Sequence, residues 1–195
     1  MKEKNSKYSS YVFFFSILLF SLSAKATNKI FEVEDILVNA GIGLIPTWYF
    51  GYEYSATLPL IFVSADYGLK EDIGPGTIGI GALLGYSSYK ETLTLTPLNE
   101  TYGWKYSAII CTIKGSYHYE FVENFDIYAG IGAGLRYNID SFFGNPDYND
   151  DPDSGIFPVF SIFVGERYFL TDNIAILGEL GYGIVWFSVG LSLKL

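Results

Sequence analysis

The sequence predicts an all-β protein, an eight-stranded antiparallel transmembrane β-barrel of up-and-down topology. Three observations carry this. Apolar residues recur at every second position over successive segments, and no 3.6-residue period competes with them. The segments number eight, an even count such as closed single-chain barrels use. The chain is 50% hydrophobic and 18% aromatic, yet beyond the N-terminal region no apolar run approaches the roughly 20 residues of a spanning helix.

The N-terminus reads as an export signal. Lys2, Lys4 and Lys7 form a basic start, Val12 to Leu22 is an apolar run broken only by serines, and Ala24-Lys25-Ala26 is a small-x-small cleavage site. Residues 1–26 are therefore expected to be a cleaved signal peptide and 27–195 one barrel domain. Cleavage removes four of the 12 basic residues and one of the 21 acidic ones, leaving 8 against 20, a net charge of −12. A surface that acidic is a poor partner for nucleic acid. With Cys111 as the one cysteine, neither an intramolecular disulfide nor a cysteine-based zinc cage can form, and no lipid-attachment cysteine follows the apolar run.

Strands are expected at 36–44, 58–67, 77–89, 106–119, 126–140, 158–169, 174–182 and 185–195. The first two share the common alternation, with Phe62 and Asp66 on the inner face and Tyr67 on the outer. In the third, Ile78, Ile80, Ala82, Leu84 and Tyr86 oppose Thr77, Gly79, Gly81, Leu83, Gly85 and Ser87. The fourth turns Cys111, Tyr117 and Tyr119 outward and Lys114, Ser116 and His118 inward. The fifth is the clearest: Ile127, Ala129, Ile131, Ala133, Leu135, Tyr137 and Ile139 take one face, and Asp126, Tyr128, Gly130, Gly132, Gly134, Arg136, Asn138 and Asp140 the other. The sixth sets Tyr168 outward and Arg167 inward. In the seventh, Ile174, Ile176, Leu180 and Tyr182 oppose Ala175, Leu177, Glu179 and Gly181. The eighth sets Val185, Phe187, Val189, Leu191, Leu193 and Leu195 against Trp186, Ser188, Gly190, Ser192 and Lys194.

Alternation alone also fits a soluble sandwich or a lipocalin-like cup. The second face decides. It is made of glycine, small hydroxyls and a few charges of both signs, whereas a solvated face carries dense lysine and glutamate. Such a face suits a narrow lumen, in which glycines leave room for Phe62, Tyr128 and Trp186. Tyrosines support the same reading. Tyr67, Tyr117, Tyr119 and Tyr168 fall at one end of the outer face, and Tyr86, Tyr137 and Tyr182 at the other, as two interfacial girdles would. Connections alternate too: Lys70 to Gly76, Glu120 to Asn124 and Thr171 to Asn173 are compact and read as periplasmic turns, while Ile45 to Thr57, Glu91 to Lys105 and Ser141 to Phe157 read as outer loops. A fourth outer loop, near Gly183, is very short.

These residues resemble the small bacterial outer-membrane β-barrel family that includes OmpX, OmpW and the membrane domain of OmpA. The resemblance is carried by the export signal, the glycine-studded strand Thr77 to Tyr86, the run Arg167 to Asn173 followed by Gly178 to Gly183, and the closing strand. In that strand Val189, Leu191, Leu193 and Leu195 are similar to the C-terminal signal read by the barrel-assembly machinery, except that Leu195 stands where the family usually has an aromatic residue. The resemblance implies residence in the outer membrane of a Gram-negative cell, with lipid and lipopolysaccharide as surroundings. It implies no single activity, since family roles run from adhesion to structural support.

Charges of the inner face are the candidate chemistry: Asp66, Lys114, His118, Asp126, Arg136, Asp140, Arg167, Glu179 and Lys194. Opposite charges in a dry, narrow interior must pair, so an ion-pair plug is expected, with Lys114, Arg136, Asp140, Arg167 and Glu179 as its core. A sharper alternative makes an Arg136–Glu179 pair the gate of a narrow channel or small-ligand site. Eight strands leave just enough interior for side chains, which disfavours a general porin. His118, the only histidine, follows Ser116 by two residues, the makings of a lipid-modifying enzyme. Both point inward, away from lipid, and no carboxylate is aligned by sequence, so no enzyme is expected. Residues 145–155 place oxygen ligands at alternate positions but lack the distal glutamate of a calcium loop, so they read as a solvated acidic loop. Trp48, Tyr49, Phe50, Tyr52, Tyr54, Tyr102 and Trp104 are the outer-loop aromatics, of the kind that mark partner contact or extend the barrel upward. No cofactor is expected. The function expected is a structural or surface-interaction role, adhesion-like, in which the outer loops meet a host or cell-surface ligand.

Overall fold

A computed structural model describes residues 30–48, 54–95, 100–144 and 154–195. Its eight strands are β1 (Ile36–Gly43), β2 (Tyr54–Ile73), β3 (Gly76–Leu95), β4 (Glu100–Val122), β5 (Phe125–Phe143), β6 (Gly155–Phe169), β7 (Ile174–Tyr182) and β8 (Phe187–Lys194). Each pairs antiparallel with the next, and β8 pairs with β1 from Leu37↔Lys194 to Gly43↔Ser188, which closes the ring. Within the closed ring no sheet edge remains, so there each strand finds its backbone partners in the barrel. The expected signal peptide and the acidic stretch 145–153 lie outside the described residues, as do Tyr49, Phe50 and Tyr52.

Side chains alternate as the period of two requires. Outward, Ile113 and Ile131 are each 67% exposed and Phe160 73%. Similar apolar side chains cover the outer wall, among them Val63, Leu84, Leu135, Ile162, Leu180 and Leu191. No water-soluble barrel presents such a continuous apolar surface, and hydrocarbon is the solvent that it suits. Tyr67, Tyr137, Tyr168 and Tyr182 are exposed on this wall, and Tyr86, Tyr117 and Tyr119 are half-buried on it. Cys111 is also exposed there. Inward, Leu60, Phe62, Leu83, Ile110, Tyr128, Val159, Phe163 and Leu177 pack as a core. The large rings fit because glycines face them. A β-carbon on Gly165 would lie 2.3 Å from the Tyr128 ring, so any other residue there would displace that tyrosine.

The strands are longer than hydrophobic alternation indicates. β2 was expected over 58–67 and runs for 20 residues, β3 over 77–89 and also runs for 20, and β4 over 106–119 and runs for 23. Hydrocarbon needs only about 9 to 11 residues of a tilted strand. The surplus lies mostly at the long-loop end, where β3 and β4 stay in register out to Leu95↔Glu100. Tyr102 and Trp104 thus belong to a strand and not to a loop. Nothing apolar is needed on either face of a strand standing in water, so the periodic signal fades while the backbone ladder continues. β1, β7 and β8 have only 8, 9 and 8 residues, so the rim is high on one side and low on the other.

The last strand also departs from expectation. Val185 forms an isolated bridge with Pro46, and β8 begins at Phe187. Trp186, expected in the lumen, is 46% exposed and packs edge-on against Tyr182 at 5.1 Å, while Ile184 and Val185 are buried. Gly183, at φ 98°, reverses the chain before the ladder resumes, so alternation cannot be extrapolated backward through it.

Candidate functional site

The polar constellation fills the lumen from the short-turn end to its middle. Arg167 on β6, with no exposed surface, donates from Nη1 to Asp126 Oδ2 at 2.9 Å and from Nη2 to Asp66 Oδ2 at 2.5 Å. Lys114 Nζ lies 3.2 Å from Asp66 Oδ1. Asn39 donates to Asp66 Oδ2 at 3.0 Å and to Ser64 Oγ at 2.9 Å, and accepts from Ser192 Oγ at 2.6 Å. Two cations thus balance two carboxylates, and a neutral amide ties β1, β2 and β8 into the same network. Buried charges persist on such terms only, because each lost contact leaves an uncompensated charge in low dielectric.

Beside this cluster stand Ser116, His118 and Asp126. His118 Nδ1 lies 3.0 Å from both carboxylate oxygens of Asp126, and Nε2 lies 2.9 Å from Ser116 Oγ. The Asp126 carboxylate accepts from the Nδ1–H, and Nε2 shares the second hydrogen bond with the serine hydroxyl. The order matches a nucleophilic triad, but all three side chains are buried in the lumen, Ser116 at 7% exposure and His118 at 2%. The Phe31 ring packs on His118 with centroids 4.1 Å apart. The geometry serves hydrogen bonding within the packed interior.

Phe31 belongs to a strap, residues 30–35, across the short-turn mouth. Glu120 accepts the backbone N–H of Ile30 and, at 2.8 Å, that of Phe31. Lys194 donates to the Ile30 carbonyl at 2.7 Å and pairs with Asp35 at 2.7 Å. Lys194, expected among the lumen charges, is thus a rim residue that holds the strap. Phe31, Leu37, Phe169 and Ala175 form a small apolar plug under the polar network.

Above the network, Tyr128 lies against the Arg167 guanidinium at 4.3 Å and stacks on His118 at 5.1 Å, and its hydroxyl donates to Glu179 at 3.0 Å. Arg136 is not the partner of Glu179. Its guanidinium lies over the rings of Trp48, at 4.3 Å, and Phe157, at 5.4 Å, nearer the long-loop end. The alternative of an Arg136–Glu179 gate is therefore not formed, because Leu60, Phe62, Leu83, Phe163 and Val185 fill the middle of the lumen. Among the described residues, the cavity that Lys114, Glu179 and Ser188 line there holds about 20 Å³, room for about one water. Asp140, like Arg136, sits in the upper half, where its N–H donates to Ser154 Oγ at 3.1 Å.

Sequence reasoning brought together Lys114 and Arg167 and missed Asn39, Phe31 and Glu120. Asn39 carried a signal, as the one polar side chain in the run Ile36 to Gly43. Phe31 carried none, because it precedes the periodic segments.

On the long-loop side, the inner face of the tall wall gathers Tyr102, Trp104 and Phe142, with ring centroids 5.6 to 6.4 Å apart. Tyr106 donates to Glu91 at 2.7 Å, and on the outer face Lys90 lies over Phe143 at 4.1 Å.

No protein-family model and no curated protein sequence matches the chain. Solved structures do. The outer membrane protein OprG of Pseudomonas aeruginosa aligns with a TM-score of 0.56 at 12% identity, over 85% of this chain and 97% of that one. The N-terminal β-barrel domain of OprF, also from Pseudomonas aeruginosa, aligns with a TM-score of 0.50 at 14% identity, over 84% of this chain and 98% of that one. The fold is that of the eight-stranded outer-membrane barrels.

Proposed function

We propose that this outer-membrane-type barrel works as a surface-interaction scaffold, adhesion-like, with β2 to β5 raised above the membrane as the contacting wall. The observation that carries this reading is the unequal rim: strands of 19 to 23 residues on one side against 8 or 9 on the other. A barrel needed only as a membrane plug has no use for an outer sheet, and its upkeep costs backbone entropy on every ordered residue. The tip of the wall carries Tyr102, Trp104 and Phe142, residue types that dominate contact surfaces. The packed lumen argues against a channel, and the buried Ser116 argues against an enzyme. Residues 1–26 direct export, 27–195 form the barrel, lipid and lipopolysaccharide surround it, and β8, which turns Leu191 and Leu193 outward, carries with the exposed Leu195 after it the signal for the assembly machinery.

The test is to replace 90–105 with a two-residue turn, express both forms in a Gram-negative host and measure adherence to cultured epithelial cells. Loss of adherence with the barrel still folded in the outer membrane supports the scaffold reading. Undiminished adherence refutes it.

A further inference from the structure

The apolar wall carries a notch on its lipid side. Gly115 faces outward on β4, with Ile80 of β3 and Ile131 of β5 as its cross-strand neighbours. A β-carbon built on Gly115 meets nothing within 4 Å. Ile113, Ala133 and Phe160 continue the walls of this open groove on one side and Leu69 and Ile78 on the other, and the space along it is about 660 Å³. Ligand sites of about 300 to 1,000 Å³ are the ordinary size for small molecules. Inside a bilayer such a space does not stay empty, because its lining would forfeit dispersion contacts on one side.

A second observation says what fills it. β2 is irregular between Gly68 and Lys70, and this brings Lys70 opposite Ile78, which itself pairs with the outward Tyr117. Lys70 is exposed. It therefore stands on the outer wall one cross-strand row below Gly115, about 7 Å toward the short-turn end. At that level the Tyr117 hydroxyl donates to the Ile73 carbonyl at 2.9 Å, which fits the depth of headgroups. An apolar groove with a cation at its headgroup end has the two halves of a phospholipid site.

We propose that the groove around Gly115 binds one acyl chain of an anionic phospholipid from the leaflet at the short-turn end, with Lys70 on its phosphate. The proposal rests on the membrane-spanning reading and adds a specific lipid to it. A lipid held there would brace β2 to β5, the strands of the tall wall, against β6.

The probe is dipalmitoyl phosphatidylglycerol, added to the refolded barrel in neutral detergent and counted by native mass spectrometry, with dipalmitoyl phosphatidylcholine as reference. One phosphatidylglycerol is expected to stay bound. Gly115→Leu fills open space and so folds, as heat-modifiable migration will verify, yet it should lower occupancy about tenfold. Lys70→Gln should reduce phosphatidylglycerol binding about fivefold, to the phosphatidylcholine level. Millimolar inorganic phosphate should not compete. Unchanged occupancy in Gly115→Leu, an unchanged headgroup preference in Lys70→Gln, or displacement by phosphate overturns the proposal. A mature chain that stays monomeric in water without detergent overturns the membrane reading instead.

Discussion

Asp126 and Arg167 stand directly opposite each other in the register of β5 and β6, and their side chains meet in the lumen at 2.9 Å with no surface exposed on either. The same guanidinium reaches Asp66 on β2, across the barrel. One side chain thus joins two walls, and its removal leaves Asp66 to Lys114 and Asn39 and Asp126 to His118, with one guanidinium lost from between two buried carboxylates. Arg167→Met should lower unfolding free energy by about 3 to 5 kcal/mol, read by urea titration in detergent micelles. A loss under 1 kcal/mol would show that the pair is not what holds these walls together.

Because Phe62, Phe163 and Val185 pack across the lumen above that network, planar bilayers containing the wild type should carry no current. Glu179→Gln should remain as silent, since Glu179 accepts from Tyr128 and does not face Arg136. Conductance that rises on neutralising Glu179 would restore the gate.

The strap predicts a chemical footprint. His118 is 2% exposed beneath Phe31, so diethylpyrocarbonate should leave it unmodified in the folded barrel. Phe31→Ala, or Glu120→Ala through loss of the acceptor for Ile30 and Phe31, should expose it to modification while the barrel stays heat-modifiable. Equal protection in all three forms would mean that the strap does not seal this mouth.

Gly165 tests the packing of the lumen. A side chain there collides with the Tyr128 ring, and moving that ring breaks its contacts with Arg167, His118 and Glu179. Gly165→Val should cost at least about 1 to 3 kcal/mol as an overpacked site, while Gly178→Val, where the nearest contact is 3.7 Å from the side chain of Glu166, should cost less. Equal losses would contradict the packing described.

How much of this was legible in the sequence depended on which force acted on each residue. Where one face met hydrocarbon, as with Ile127 to Ile139 against Asp126 to Asn138, the period of two gave strand, face and register. Where both faces met water, as with Lys90 to Leu95, the ladder was held by backbone hydrogen bonds that leave no hydropathy pattern, and the strand read as a loop. Sequence parity showed that Asp66, Lys114, Asp126 and Arg167 share the lumen. It could not show that Asp66 takes both cations while Glu179 goes to a tyrosine, because pairing depends on height along the barrel axis and on which aromatic side chains intervene. Trp186 was misplaced for a local reason, the reversal at Gly183.

Three consecutive residues of β6 meet alternating surroundings. Phe160 and Ile162 face out and are exposed, while Ser161 lines the lumen cavity. Single spin labels at the three positions, in lipid nanodiscs, should show high oxygen collision rates at 160 and 162 and a low rate at 161. Equal rates at all three, or the highest rate at 161, would contradict a lipid-facing wall around a closed interior.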